Sequence, residues 1–188
     1  MVLKITFLII SYLWGAIPWG YFAGKLFKGI DVTQHGWCKI GGSNVMRTVG
    51  IGPGILSAIL DMSKGVLPFV IGRQLGWPEI GALGGVLGII GHNWSIFLKQ
   101  GEGRGGAAAF GLIVFMAPKA FLYCIVIFII FWIITRHTSL PMLLFIVSLP
   151  VVIVILDLPL WQGWISIGIL LAMILKRFSG IKEELSRV

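Results

Sequence analysis

Two short stretches of this chain collect the residue types that grip a phosphoryl group. "GGSNVMRTVG" (Gly41 to Gly50) holds Ser43, Asn44, Arg47 and Thr48 between glycines. "GHNWSIFLKQGEGRGGAAAFG" (Gly91 to Gly111) sets Arg104 among Gly101, Gly103, Gly105 and Gly106. Glycines let backbone amides approach a ligand closely, and successive amides form an anion-binding nest. An arginine fork adds a bidentate partner for phosphate. Gly41, Ser43, Asn44 and Arg47 are therefore candidate phosphate ligands from the first stretch, and Gly103 and Gly105 from the second. Arg104 is the candidate to stabilise charge developing in a reaction. The second stretch feeds an Ala-rich apolar run, and a helix starting there presents free amides and a favourable dipole to an anion. It lacks the Gly-Lys-Ser/Thr of a Walker A loop.

Plainer readings stand beside these. The first stretch also reads as a polar turn, with Ser43 or Asn44 capping the next helix. The second reads as a flexible connection whose small residues allow close helix packing. His92, just upstream, is a candidate general base or a hydrogen-bonded structural residue. In "LDMSKG", Asp61 and Lys64 are three apart and share a helix face. Ionisable groups in an apolar segment are costly and mark function. The pair also serves as an internal support that never touches substrate, or leaves Lys64 snorkelling to an interface.

The elements that position these residues are apolar. Of the 188 residues, 57% are hydrophobic and 12% charged, too little charge for a soluble surface. Runs approaching the ~20 residues that span a hydrocarbon core predict an all-α, polytopic integral membrane protein, a single membrane domain over 1–188. The alternation of an outer-membrane barrel is absent. Expected spans are Leu3 to Ala23, Ile51 to Ile71, Glu79 to Phe97, Leu140 to Leu156 and Leu160 to Leu175. Ala107 to Thr135 is long for one span and short for two, with Pro118 near its middle. A turn at Pro118 and Lys119 gives seven spans. No turn gives six, in which case the basic loop at Gly24 to Gly50 and the basic tail fall on opposite faces. The first run ends in "GAIPWGYFAGKLF", which reads as a span and not as a cleavage site. The tail "KRFSGIKEELSRV" reads as a solvated helix on the membrane surface. Cys38 and Cys124 are isolated and point to neither a disulfide framework nor a metal site.

Charge sets the orientation. The net charge of +8 reads as lysine and arginine retained in cytoplasmic segments, not as a nucleic-acid surface. With seven spans and the N-terminus outside, the cytoplasmic segments carry Lys25, Lys28, Lys39, Arg47, Lys64, Lys99, Arg104, Arg136, Lys176, Arg177, Lys182 and Arg187. Only Lys4, Arg73 and Lys119 stay outside. The C-terminus is then cytoplasmic, and three polar segments converge on that face: Lys25 to Gly50, Lys99 to Gly106, and the tail.

Taken together, these segments resemble the PlsY family of bacterial acyl-phosphate:glycerol-3-phosphate acyltransferases over nearly the full length. "SYLWGAIPWGYFAGKLFKGIDV" is similar to the family's first span, with its Gly-x-Ile-Pro-x-Gly and following Gly-x-Asp. "IGGSNVMRTVG" is similar to Gly-Ala-Thr-Asn-x-x-Arg-x-x-Gly, and "LDMSKG" to Asp-x-x-Lys-Gly. In the Gly91 stretch, Gly91, His92, Phe97, Gly103, Gly105 and Ala107 fall in register, with Arg104 where the family has Lys. "TRHTSL" (Thr135 to Leu140) is similar to a later segment. Several positions depart. "GWCK" (Gly36 to Lys39) replaces Gly-Ser-Gly-Asn, and "GEGRG" (Gly101 to Gly105) replaces Lys-Gly-Gly-Lys-Gly, with Glu102 adding negative charge. Ala108 stands for a Thr. Leu171 and Ile174 stand where a His and an Asn belong, with Arg177 kept.

The resemblance implies seven spans and acyl transfer from acyl phosphate to the 1-hydroxyl of glycerol 3-phosphate. The products are lysophosphatidic acid and phosphate, a step of phospholipid synthesis in the inner or plasma membrane of a bacterium. It implies no metal or other cofactor, and membrane lipids as the surroundings. Asp61, Lys64 and Arg177 are carried as supporting residues. The alternative is an impaired paralogue that binds lipid phosphate without turnover. A transporter would need more polar residues near the midplane than Asp61 and Lys64.

Overall fold

The computed structural model describes residues 1–98, 103–136 and 139–185, with backbone alone at 139 and 179–185. Among these the regular structure is helical: α1 (Val2–Ala16), α2 (Trp19–Lys28), a 3-10 turn (Val32–Gln34), α3 (Gly42–Thr48), α4 (Ile51–Gln74), α5 (Pro78–Asn93), α6 (Gly106–Met116), α7 (Pro118–Thr135), α8 (Ser139–Ile155) and α9 (Leu160–Leu185). Four stretches are long and apolar enough to cross a membrane: Val2–Lys28, Ile51–Gln74, Pro118–Thr135 and Leu160–Phe178. The helices α6 and α8 are apolar but shorter.

Prolines set several boundaries. The expected first span is broken: Ile17, ahead of Pro18, is extended with ψ 120°, because a residue before proline is driven out of the helical region. The long run after Ala107 divides at Pro118, which opens α7 at a position where its missing N–H costs nothing. The expected third span ends early. Its helix stops at Asn93, and Phe97 lies beyond it. The Ser95 hydroxyl there donates to the Ala16 carbonyl at 2.5 Å and accepts from the Phe97 amide, so side-chain bonding replaces helix continuation. The tail differs from expectation as well: α9 runs unbroken from the last span into the charged C-terminal segment.

The centre of the bundle is α5, packed between α1 and the antiparallel α4, with α9 along its C-terminal half. Glycine makes this closeness possible. A Cβ on Gly88 would strike the backbone carbonyl of Lys64 in α4, and Gly15 of α1 meets Gly88 in the same way. Without an apolar drive between helices in lipid, such backbone contact is a main source of association. A second region of core lies among α6 to α9, where Phe110, Phe121 and Phe145 form an edge-to-face and stacked group around Leu112, Leu149 and Ile153.

Gly88→Ala should therefore destabilise the bundle by about 1–3 kcal/mol, the usual cost of overpacking. Gly52→Ala, whose Cβ would meet nothing within 4 Å, should leave the detergent melting temperature unchanged or raised. Equal melting temperatures would contradict the packing described.

Candidate active site

The first polar segment is built around one buried side chain. Asn44 sits inside α3, 1% exposed. Its amide nitrogen donates to the carbonyls of Val32 (3.0 Å), His35 (3.1 Å) and Lys39 (2.7 Å), and its oxygen accepts from the Trp37 amide at 2.8 Å. The whole loop over 32–39 is wrapped onto this amide. Asp31 caps the 3-10 turn by accepting from the Thr33 amide and hydroxyl. Burial opposes ionisation of Asp31, but those two bonds, with the charges of Lys25 and His35, outweigh it and hold the carboxyl below its ordinary range.

Asn44 is thus committed to the loop, where a direct phosphate ligand was expected. Neither Ser43 nor Asn44 caps a helix, since Gly41 precedes α3 and Gly50 precedes α4. Ser43 and Arg47, one turn apart on α3, are both exposed, and the space in front of Gly41 is open. The Arg47 guanidinium lies over the Trp37 ring, 5.2 Å from its centroid.

The second segment rests on a buried charge cluster. Asp61 and Lys64 of α4 are paired at 2.8 Å, and His92 Nδ1 of α5 lies 3.0 Å from Lys64 Nζ and 3.2 Å from Asp61 Oδ1. Nδ1 accepts from the ammonium or donates to the carboxylate, and either keeps it inside the cluster. The other ring nitrogen faces Gly103, where a Cβ would overlap it. Lys64 is fully buried and does not snorkel. His92 sits buried beneath the glycine loop, with Nδ1 in the charge cluster and Nε2 toward Gly103. Beside it Asn93 lies under Gly105, which adopts φ +71° and opens α6. Arg104, between the two buried glycines, is exposed.

The two segments meet at one end of the bundle. Gly42 of α3 packs on Gly54 and Ala58 of α4, one turn before Asp61. Leu98 packs on the small core of Ala23, Val32, Ile40 and Val45 beneath the first loop. From α9, the Ala172 carbonyl accepts from Asn93 at 3.4 Å, and Lys176 lies over the Trp94 ring. Arg177 follows, exposed. Lys4 over Trp77, Arg73 and Lys119 lie at the opposite end. Lys99, Gly101, Glu102, His137, Thr138 and Arg187 fall outside the described residues. Trp37, Asn93, Trp94 and Lys176 were not singled out from the sequence for the site. An aromatic residue inside a glycine-flanked polar loop was the available signal for Trp37.

Both glycine segments thus expose an arginine at one end of an apolar helical bundle, the layout of a membrane-embedded protein that handles an anionic ligand. A family model described as glycerol-3-phosphate acyltransferase matches residues 5–187. Glycerol-3-phosphate acyltransferase 2 of Moorella thermoacetica is 38% identical over 133 residues, 71% of this chain and 69% of that protein. The glycerol-3-phosphate acyltransferase of Desulforudis audaxviator is 33% identical over 167 residues, 88% and 82% of the two chains. The crystal structure of PlsY, an integral membrane glycerol 3-phosphate acyltransferase, in its glycerol 3-phosphate form superposes with a TM-score of 0.84 at 25% identity, covering 97% of this chain and 92% of that one. Its lysophosphatidic acid form gives a TM-score of 0.83. The chain belongs to the glycerol-3-phosphate acyltransferase family.

Removing one member of the buried cluster strands a charge. Lys64→Ala should cost about 3–5 kcal/mol of stability, and Asp61→Leu combined with Lys64→Met should recover most of it. Thermal unfolding in detergent reads both, and a double variant no more stable than Lys64→Ala would contradict the pairing.

Proposed function

We propose that this protein transfers an acyl chain from acyl phosphate to the 1-hydroxyl of glycerol 3-phosphate, giving lysophosphatidic acid and inorganic phosphate. The observation that carries the reading is the meeting, at one end of an apolar bundle, of two glycine segments with Arg47 and Arg104 exposed. Acceptor, donor and leaving group all carry phosphate, and the acyl tail needs apolar surroundings. The relatives named as glycerol-3-phosphate acyltransferases support the acceptor.

In the step proposed, the 1-hydroxyl oxygen bonds to the acyl carbon as the bond from that carbon to the phosphate oxygen breaks. The bonding pair leaves with phosphate, and the hydroxyl proton passes to a phosphate oxygen. Acyl phosphate brings its own good leaving group, so the protein acts by positioning and by stabilising negative charge. Arg47 and Ser43 hold a phosphoryl group at the first loop. Arg104 and the amides opening α6 face the second. Asn44 shapes the first loop, and His92 supports the second through Gly103 from the Asp61–Lys64 pair. Arg177 contributes positive charge from α9. No step calls on a metal or another cofactor.

The same reading places seven helical crossings in a bacterial plasma membrane, with the N-terminus outside and the site and C-terminus cytoplasmic. Its support is the grouping of Lys4, Arg73 and Lys119 at one end and the basic polar loops at the other.

Purified protein in detergent should release phosphate from palmitoyl phosphate only when glycerol 3-phosphate is present. A charge-assisted contact contributes about 1.5–3 kcal/mol, so Arg47→Ala should lower kcat/KM at least about tenfold. Absence of release from folded protein, or release untouched by Arg47→Ala, would overturn the reading.

A further inference from the structure

Trp37 stands in the run Gly36 to Lys39 of the first loop. Trp37 is 55% exposed. Its backbone is nevertheless fixed. The amide of Trp37 donates to the buried Asn44 oxygen at 2.8 Å, and Gly36 ahead of it turns with φ +62°. A Cβ on Gly36 would run into that same Asn44 oxygen, so the turn is closed tightly against α3. The Arg47 guanidinium carbon lies 5.2 Å from the Trp37 ring centroid, inside the range of cation–π attraction. Asn44 and Arg47 both belong to α3, so one helix carries the arginine and the amide that anchors its aromatic partner.

A guanidinium carries five N–H donors, more than contact with one ring can take up. No carboxylate or carbonyl among the described residues takes those donors. Arginine side chains carry about 2 kcal/mol of rotamer entropy, and ordering on binding is a cost that pre-organisation removes.

We propose that Trp37 is a positioning residue that holds Arg47 edge-on to the phosphoryl group of a phosphorylated substrate. The inference rests on the reading of the first loop as a phosphate site. The phosphoryl group belongs to glycerol 3-phosphate or to the acyl phosphate, and separate KM values for the two distinguish them. Lost attraction at an exposed cation–π site corresponds to about a two- to fivefold change in affinity.

The experiment compares full-length protein with Trp37→Ala, Trp37→Leu and Trp37→Phe. Steady-state kinetics give KM for each substrate, and calorimetry gives Kd for glycerol 3-phosphate and for inorganic phosphate. Trp37→Ala and Trp37→Leu should raise KM for one substrate, and Kd for at least one phosphate probe, about two- to fivefold, with kcat within about twofold of wild type. Trp37→Phe, which keeps an aromatic face, should stay near wild type. All variants retain the Trp37 backbone amide bond, and unchanged melting temperatures exclude unfolding as the cause. Wild-type KM and Kd in Trp37→Ala, or equal values for Leu and Phe, would overturn the proposal, since apolar cover alone would then suffice. The calorimetric arm separates the two readings. Weakened phosphate binding in a protein without turnover would sink the acyltransfer reading and keep this one. Intact turnover with unaltered binding in Trp37→Ala would do the reverse.

Discussion

A buried ammonium in an apolar bundle must be paired, and much of this structure follows from how Lys64 is paired. Isolated charge in such surroundings costs several kcal/mol even after relaxation. Asp61 supplies the opposite charge one turn back on α4, and His92 of α5 closes the cluster. That closure needs α4 and α5 in backbone contact, which Gly88 permits by presenting no side chain to the Lys64 carbonyl. The cluster then fixes the imidazole, and the imidazole fixes the path of Gly103 above it. A helix–helix contact in the apolar interior thereby sets the geometry of a polar loop at its end.

The two loops are organised by different means. The second is laid on a floor of His92 and Asn93, and Gly103 and Gly105 are required by what lies beneath them. The first is wound about the Asn44 amide, whose hydrogen bonds are all internal. In each, the buried polar residue adjacent to the arginine shapes backbone, while the arginine itself is exposed. This division of labour separates side chains that hold the loop from those that reach a ligand.

The departures from the family pattern fall unevenly on this frame. Asp61, Lys64, His92, Asn44, Gly36, Gly41, Gly103 and Gly105 are in place, while Cys38 and Glu102 each stand where the pattern has a glycine. The replacements at Gly36 to Lys39 put an aromatic ring and a thiol on the exposed surface of the first loop. There Cys38 adopts φ 55°, a region that favours glycine. On α9, Leu171 and Ile174 are apolar, and the helix reaches the second segment through Ala172 and Lys176.

Composition and spacing alone determined the all-helical, membrane-type architecture, because lipid allows few other ways to satisfy a backbone. They marked Pro118 as a place where the long run could divide, but Pro68 and Pro150 lie inside α4 and α8, so proline by itself did not decide the break. They marked the Asp61–Lys64 pair by its i,i+3 spacing and both arginine-bearing glycine loops by composition. Only tertiary structure decided what the polar residues do. Spacing cannot show that His92, 28 residues from Lys64, completes its ion cluster. Nor can it show that Asn44 faces inward to the loop while Arg47, on the same short helix, faces out. The end of α5 at Asn93 likewise rests on a contact from Ser95 to Ala16, 79 residues apart. Local pattern encodes what a segment does with its own backbone, whereas the partner of a buried polar group is chosen by whichever distant segment packing brings within 3 Å or so.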